Sequence, residues 1–474
     1  MLKARKDKSG RLVYRIPKGN DKISLLLYEF EVEILEQLFN HRIIRSIELL
    51  DMYLELRKLN GLQARDERNA ASQRMNRLKQ SGVISHHMDD SLEGYTYLYK
   101  TYFYSISQKG IEILLTLGKI TSDQAKSVSR EIKKYTFSMP STHALATTAI
   151  ATRLYIHLRK LDLNYSFKVQ KGVHHEMFFS RNAPNKNNDI VIPDLVVTLG
   201  ASRVIAIEVD GGKQLKDVIA DKQRRYNLLM RSDKGNNKSL YVAFVPIDDD
   251  LLPKENKGER IQRIKYLKNS LNEFTTYPKN THYYVLKTRE IFSFVERITQ
   301  HEETLSNRQL RLMLNEWLLH AELNLGKLEY TVQSFEESVV SKNPASNEYT
   351  PHMNLVFKKG DRRPKYYFVY IVQNGSVQSH QLYRAALSRI EAINDNEYSP
   401  HEVKLFLLYP NKRAMENDIM EHFKTFEVDI IGSNIEEWIE RTNHPEEFSE
   451  FEIPLYELST RNLNFNIRKE NYRL

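Results

Sequence analysis

IVIPDLVVTLGASRVIAIEVDGG, residues 190–212, contains two short apolar runs separated by Gly200, Ala201 and Ser202. Apolar runs rich in Val and Ile with a short turn between them predict a β-hairpin, with strands at 190–199 and 203–210. We therefore place a hairpin at the centre of the middle third of the chain.

Three acidic residues, Asp194, Glu208 and Asp210, stand toward the ends of these strands. Glu208 and Asp210 are two residues apart and share a face, and a hairpin register can bring Asp194 beside them. Three buried carboxylates repel one another and call for a compensating cation, and their hard oxygens select Mg²⁺ or Mn²⁺. Such an ion can lower the pKa of a bound water and steady the charge of a phosphoryl transition state. We predict a metal site formed by these three residues.

The elements around the hairpin complete an α/β sheet domain, which we place at residues 135–300. A helix is predicted at 142–160, another at 214–230 and a third apolar strand at 240–247. The second helix carries Lys222 and, one turn later, Tyr226, both able to point back toward the strand ends. His143, His174 and His175 are interpreted as packing or surface residues.

The N-terminal third predicts a winged helix-turn-helix over residues 23–125. Two amphipathic helices precede a third, within residues 69–84, whose Ala71, Met75 and Leu78 form a buried stripe; a hairpin and a further helix follow. Five polar residues are expected to face outward from the third helix and contact DNA: Gln73, Arg74, Asn76, Arg77 and Lys79. A winged fold used only for protein contacts is the alternative. Residues 1–22 are basic and predict either a solvated tail or an arm that touches phosphates.

These motifs carry a family resemblance. Pro193-Asp194, thirteen residues, then Glu208-Val209-Asp210 resembles the PD-(D/E)XK nuclease signature, with Asp210 where that signature has a lysine. Lys213 or Lys222 could supply the lysine's function. Together with the winged helix and the Lys222/Tyr226 pair, residues 25–250 are similar to the replication-relaxation family of mobile genetic elements. The resemblance implies DNA binding and metal-dependent nicking or cleavage, with Asp194, Glu208, Asp210 and Lys222 as catalytic residues.

The last third, residues 305–474, resembles a degenerate copy of the middle third. A helix at 306–328 is followed by strand-like segments, a helix at 381–394 and an apolar strand at 403–409. In this comparison His352 replaces Asp194, Ile371 replaces Glu208, Gln373 replaces Asp210 and Ala385 replaces Lys222. We expect a nuclease-like domain without a metal site. The alternative is that a common order of elements imitates a duplication.

The amino-acid composition indicates what kind of partner and which compartment to expect. Lys and Arg number 70 against 61 Asp and Glu, a net charge of +9 that favours a polyanion, with double-stranded DNA as the leading partner. The chain has no cysteine, which excludes disulfides, thiolate nucleophiles and Cys-ligated metals and favours a reducing, cytoplasmic compartment. No apolar run is long enough to span a bilayer, so we expect a soluble protein without membrane contact. A second copy of the chain is a further candidate partner.

The sequence thus predicts an α/β (α+β) protein with a winged helix, a PD-(D/E)XK-like domain and a degenerate copy of that domain. From the resemblance we expect site-specific DNA binding and Mg²⁺- or Mn²⁺-dependent nicking in the replication or mobilisation of a plasmid or related element. Two alternatives stay open. One is a replication initiator or transcriptional regulator that cuts nothing, and the other is a nuclease subunit of a transposition or phage-defence system.

Overall fold

The computed structural model describes most of the chain as a mixed α/β protein. The described residues are 3–7, 11–16, 25–62, 67–88, 102–135, 140–178, 191–248, 257–271, 278, 280–300, 307–327, 330–336, 351–360, 363–395, 402–415, 430–447 and 455–457.

The chain divides into two compact units. The first contains Met1–Gln214, Arg225–Glu255 and Lys287–Glu296, and the second contains Leu215–Arg224, Asn256–Leu286 and Arg297–Leu474. The N-terminal helices and the β-hairpin at 195–210 both fall within the first unit.

The first unit begins with a three-stranded antiparallel sheet, in the order β1-β2-β3. Its strands are β1 (Lys3–Lys6), β2 (Leu12–Ile16) and β3 (Leu25–Tyr28). Much of the predicted basic arm is therefore folded. The physical reason is that these strands bury apolar side chains: Val13 and Ile16 of β2, and Leu25 and Leu27 of β3, where burial alternates along the strand.

The next part of the first unit consists of helices around a second small antiparallel sheet, in the order β4-β6-β5. Its elements are α1 (Glu29–His41), β4 (Ile44–Arg45), α2 (Ser46–Leu59), α3 (Glu67–Gln80), β5 (Ile84–Met88), β6 (Tyr102–Ile106), α4 (Gln108–Thr116) and α5 (Ser122–Tyr135). Ala71, Met75 and Leu78 of α3 are buried, as predicted. Gly82, with φ of 71°, lets Val83 donate its N–H back to the Leu78 carbonyl and end α3.

The following elements, up to residue 246, include two helices and four strands. The strands are neighbours in a sheet, in the order β10-β9-β8-β7. The elements are α6 (Thr142–Lys160), β7 (Phe167–Gln170), β8 (Leu195–Leu199), β9 (Arg203–Asp210), α7 (Lys216–Arg231) and β10 (Ser239–Pro246). The predicted hairpin is confirmed, because β8 and β9 pair antiparallel with Leu195 opposite Ile207. β10 pairs parallel with β9. All eight residues of β9 are buried.

The second unit is built on a six-stranded sheet in the order β12-β13-β14-β15-β16-β17. The elements after β10 are α8 (Lys257–Ser270), β11 (Thr281–Val285), α9 (Glu290–Thr299, mostly in the first unit), α10 (Asn307–Gly326), β12 (Tyr330–Ser334), β13 (Met353–Lys359), β14 (Lys365–Ile371), α11 (Val377–Asn394), β15 (Val403–Tyr409), β16 (Ile430–Asn434), α12 (Ile435–Asn443) and β17 (Tyr456–Glu457). Its core includes Trp317 and Trp438, which pack with their ring centroids 6.2 Å apart.

The elements from α10 to β15 repeat the order of those from α6 to β10. In both sheets the first two pairings are antiparallel and the third is parallel. The strand register corrects the residue pairing predicted from the sequence by one position. Asp194 stands one step beyond the Leu195–Ile207 pair, opposite Glu208, whereas His352 stands one step beyond Met353–Val369, opposite Tyr370. The counterpart of Glu208 is therefore Tyr370 rather than Ile371.

Candidate functional site

The candidate site lies where β8 begins and β9 ends, both within the first unit. Because Asp194 stands opposite Glu208 in the antiparallel register, these two side chains share a face of the sheet. Asp210, two residues beyond Glu208, shares that face as well. The register therefore puts the three predicted carboxylates on one side of the sheet.

Asp194 extends the hydrogen-bonding ladder past the end of β8. Its Oδ2 accepts a hydrogen bond from the Val209 N–H at 2.9 Å, so the side chain takes the place of a backbone partner. The side chain is 25 % exposed and lies 3.3 Å from Nε2 of His143 on α6. Because that nitrogen is also 2.9 Å from the Val209 carbonyl oxygen, which only accepts, Nε2 carries the proton.

His143, predicted to be a packing or surface residue, lies beside Asp194 at the candidate site. Its side chain is 41 % exposed and joins α6 to the end of β9 through Asp194 and Val209. No spacing motif marks it, because the residues that it touches lie more than 50 positions further along the chain. Only the register of the sheet could have indicated the contact.

Glu208 is the most enclosed of the three acids, at 1 % exposure. Its Oε1 accepts a hydrogen bond from the hydroxyl of Tyr226 on α7 at 2.6 Å, and Tyr226 is itself fully buried. Tyr226 thus positions a carboxylate and is too enclosed to contact a phosphate. Asp210, at 2 % exposure, accepts a hydrogen bond from the Gly212 N–H at 3.2 Å.

The three carboxylates do not close into one ligand set. Within the described part of the chain, the cluster of three metal-ligating side chains with ligand atoms inside 4.8 Å of one another is the exposed group His444, Glu446 and Glu447. The expected meeting of Asp194, Glu208 and Asp210 at a single point is therefore not observed. The physical reason is that each carboxylate is drawn to a partner of its own: a backbone N–H, a tyrosine hydroxyl or a turn N–H.

The carboxylate oxygens of Asp194, Glu208 and Asp210 are ligands of the type that a hard divalent cation prefers. Mg²⁺ in proteins is commonly held by one or two carboxylates, with waters and substrate phosphates completing its octahedral shell. A face with three carboxylates, two of them almost completely buried, offers such ligands, although a cage of all three around one ion would need side-chain movement.

The lysines near the sequence motif are placed differently from one another. Lys213 follows the Gly211-Gly212 turn and is exposed, whereas Lys222 is half-buried, one turn before Tyr226 on α7. Lys222 belongs to the part of α7 that falls in the second unit. The contacts of Asp194, Glu208 and Asp210 described above all involve residues of the first unit.

Four of the five residues predicted to face outward from α3 are exposed. Gln73, Asn76, Arg77 and Lys79 are exposed, and their side chains form no hydrogen bond or ion pair with the described residues. The prediction that Arg74 faces outward is wrong. Its side chain is 15 % exposed and pairs with the buried carboxylate of Glu31, with Nε donating to Oε1 at 2.6 Å and Nη2 to Oε2 at 2.7 Å.

Arg74 also donates to the Leu26 carbonyl and so ties α3 to the first sheet as well as to α1. An arginine with a buried carboxylate partner is a structural cation, because breaking the pair leaves Glu31 uncompensated. Of the predicted DNA-contacting residues, the exposed ones are therefore the basic Arg77 and Lys79 and the amides of Gln73 and Asn76.

The fold and these two surfaces define a mixed α/β protein with an exposed basic helix and a carboxylate-bearing sheet face in the same unit. Residues 54–241 match the sequence model of the replication-relaxation family. The matched stretch begins within α2 and ends within β10, so it includes the exposed face of α3 as well as Asp194, Glu208, Asp210 and Lys222. No curated protein and no solved structure matches the chain.

In the described residues, none of the helices combines the length and the apolar character that a membrane span requires.

Proposed function

We propose that this protein binds double-stranded DNA and acts in the replication or mobilisation of a plasmid or other mobile element. The observation that carries the proposal is the exposed, unpaired polar face of α3 inside the stretch that matches the replication-relaxation family. The net charge of +9 supports a polyanionic partner.

The arrangement of elements supports α3 as a recognition helix. The order α1, β4, α2, α3, β5, β6, with a small sheet in the order β4-β6-β5, supports the proposal of a winged helix-turn-helix. In that fold the helix before the hairpin enters the major groove. The predicted wing between β5 and β6 lies at residues 89–101, outside the described residues.

On α3, each side chain has a distinct task. The amides of Gln73 and Asn76 suit base edges, because an amide can both donate to and accept from adenine. Arg77 and Lys79 suit guanine or phosphate. Arg74 holds the helix on the body of the unit through Glu31 and makes no DNA contact in this proposal.

The test is duplex binding, measured by fluorescence anisotropy with random and plasmid-origin fragments. Arg77→Ala combined with Lys79→Ala is expected to weaken binding at least about tenfold, since each lost contact costs about 1 kcal/mol or more. Arg130→Ala on α5 is the matched control, because Arg130 is also exposed and basic but lies on another helix. Equal affinity in all three proteins would contradict the proposal.

A second function, metal-dependent nicking of the bound DNA, is favoured by one observation: three acids on one sheet face, with Glu208 buried and held by Tyr226. A buried carboxylate without chemical use is costly, which makes such a residue a functional candidate. Asp194, Glu208 and Asp210 are the residues that would hold Mg²⁺ or Mn²⁺. When bound, the ion would supply Lewis acidity and an activated water at neutral pH.

The chain's own residues would prepare this site. Tyr226 fixes the orientation of Glu208, the Val209 N–H fixes Asp194, and His143 presents a protonated Nε2 beside Asp194.

The nicking proposal is tested on supercoiled plasmid with Mg²⁺ or Mn²⁺, scored for open-circular and linear products. Asp194→Asn and Glu208→Gln are expected to abolish cleavage while duplex binding stays unchanged. Glu176→Gln is the control, because Glu176 has a side chain 89 % exposed and is not among the proposed ligands. Cleavage by all the variants, or by none of the proteins including the parent, would reject nicking and leave DNA binding as the function.

A further inference from the structure

A group of basic side chains lies apart from the sheet face and from α3, where the end of α1, α5 and the segment after β7 meet. Its members are His41 and Arg42 after α1, and Lys171 and His174 after β7, with Glu131 of α5 as the acid among them. All five belong to the first unit. We call this group the basic cluster.

Arg42 is the best-connected member and is 2 % exposed. Its Nε donates to Glu131 Oε2 at 2.6 Å, its Nη1 donates to the Phe39 carbonyl, and its Nη2 lies 3.3 Å from Nε2 of His174. Because a guanidinium only donates, Nε2 of His174 accepts and its Nδ1 carries the proton. Each of the three guanidinium nitrogens of Arg42 therefore has a partner, whereas the Nδ1–H of His174 has none among the described residues, and His174 is exposed.

Lys171 adds a positive charge that no described carboxylate offsets by direct contact. It is half-buried and forms no hydrogen bond or ion pair with a described residue. Burial, and then the charge of Arg42, lower the pKa of Lys171 to about 8, with Glu131 opposing. The amine is still largely protonated at neutral pH, so two cations, Arg42 and Lys171, face the single carboxylate of Glu131.

His41 provides a second, independent observation that points to a ligand. It is 1 % exposed, and its Nε2 is buried without a hydrogen-bond partner among the residues that the structure describes. Buried polar atoms without partners are rare and call for an explanation such as a bound water or ion. His41 directly precedes Arg42 in the chain, and the charges of Lys171, Arg42 and His174 all act on its imidazole, so the ring lies near these cations.

We propose that the basic cluster is a binding site for a phosphate anion, held by the Lys171 ammonium and by ring N–H groups of His41 and His174. Arg42 adds positive charge behind these donors while it stays paired with Glu131. The anion is either inorganic phosphate or a phosphate of bound DNA.

The donors match a phosphate better than a smaller anion. A phosphate has several acceptor oxygens arranged tetrahedrally, so it can accept from an ammonium and from two imidazole groups at once. Its negative charge offsets Lys171, and its oxygens give His41 Nε2 the partner that it lacks.

The turn that carries the cluster is fixed against the sheet. Gly172 packs so closely on Pro193 that a Cβ there would lie 2.0 Å from the Pro193 carbonyl oxygen. Pro193 immediately precedes Asp194, so the basic cluster is mechanically connected to the strand end that carries the first acid. The phosphate site itself depends on neither DNA binding nor nicking.

The first experiment measures the melting temperature of the full chain with sodium phosphate, at constant ionic strength set with sodium chloride. The parent is compared with Lys171→Met and with Lys168→Met, a matched control in which an exposed lysine of β7 is changed in the same way. We expect phosphate to raise the melting temperature of the parent and of the control by about 2 °C or more, and to leave Lys171→Met unchanged. An equal rise in all three proteins, or no rise in the parent, would overturn the proposal.

If Lys171→Met does not fold, calorimetric titration of the parent and of His174→Gln with inorganic phosphate replaces it. His174 is exposed, so its substitution is tolerated, and we expect the affinity for phosphate to fall about fivefold or more. Unchanged affinity would overturn the proposal.

Duplex binding then distinguishes the two sources of phosphate. If DNA supplies it, inorganic phosphate competes with duplex and Lys171→Met weakens duplex binding. If free phosphate is the ligand, Lys171→Met binds duplex as the parent does. A failure of duplex binding in the parent rejects the proposed function and leaves the phosphate site standing on the thermal data.

Discussion

Glu208 shows how a single hydroxyl can make a buried acid tolerable. The carboxylate is 1 % exposed and has lost its hydration, and the Tyr226 hydroxyl offsets part of that loss by donating to it at 2.6 Å. The tyrosine also fixes the direction of the carboxylate at the end of β9.

Tyr226→Phe is expected to lower the free energy of unfolding by about 2 kcal/mol, because the substitution leaves Glu208 Oε1 without this donor. Urea unfolding measures the change. Tyr104→Phe, which removes a hydroxyl from another buried tyrosine, is the control and is expected to cost less. Equal losses in the two variants would contradict the role given to Tyr226.

His41 gives the protein a specific sensitivity to acid. Burial, followed by the charges of Lys171, Arg42 and His174, lowers the pKa of His41 from 6.5 to about 3 in the folded state. The unfolded chain therefore binds a proton below about pH 6.5 that the folded chain refuses. Stability is complete above that pH and declines as the pH falls toward 3.

Between about pH 7 and about pH 5, this residue alone is expected to cost about 2 kcal/mol of unfolding free energy. His41→Gln should reduce the loss by that amount, measured by urea unfolding in buffers without phosphate. His444→Gln, at an exposed histidine, is the control. The same pH dependence in the parent and in His41→Gln would contradict the assignment.

The buried stripe of α3 could be predicted from the sequence, whereas the orientation of Arg74 could not. The buried stripe of α3 follows from helical periodicity, and Ala71, Met75 and Leu78 lie as predicted. Arg74 lies off that stripe, but the carboxylate that draws it inward, Glu31, is 43 positions away in the chain. Periodicity within one helix contains no information about such a partner.

The short turn Gly172–His174 is tightly constrained by packing. It lies between β7 and the start of β8, and the close approach of Gly172 to Pro193 leaves no room for a side chain. The turn therefore fixes both Lys171 and the entry to Asp194.

Gly172→Ala is expected to destabilise the protein by about 2–3 kcal/mol, because backbone or turn must shift to admit the methyl group. Gly211→Ala is the matched control, since a Cβ at Gly211 meets nothing within 4 Å. Denaturant unfolding compares the two. A loss at Gly211 as large as that at Gly172 would show that the constraint lies elsewhere.

The elements themselves were predictable where local signals were strong. The helix at 142–160 begins and ends as predicted, and the β8–β9 hairpin follows from its apolar runs. The strands β1 and β2 were missed, because their charges resemble those of a solvated segment and their pairing partner β3 lies beyond it. The first predicted strand of the hairpin was too long, since Asp194 accepts a backbone N–H through its side chain and β8 begins only at Leu195.

Taken as a whole, the chain contains the same order of helix and strands in each of its two compact units. Asp194 accepts a hydrogen bond from the Val209 N–H, and His352 accepts one from the Ile371 N–H at 2.8 Å through Nδ1. The same backbone position is thus capped by a carboxylate in one sheet and by an imidazole in the other. Tyr370 and Val372 stand where the first sheet has Glu208 and Asp210, so the face of the second sheet lacks this set of acids.

The similarity between the two sheets could be predicted from the sequence only in outline. The order of elements was visible, but the alignment was one residue out, because apolar strands look alike when shifted. The pairings Leu195–Ile207 and Met353–Val369 fix the register and make Tyr370 the counterpart of Glu208.

The central claim is that the exposed face of α3 contacts DNA phosphates and bases. The most direct test is the salt dependence of duplex affinity for the parent and for the Arg77→Ala, Lys79→Ala double variant. Each phosphate contact contributes about 0.9 to the slope of log K against log salt. We predict that the slope of the double variant is smaller in magnitude by about 1–2, with weaker binding at every salt concentration. An unchanged slope and affinity would contradict the account.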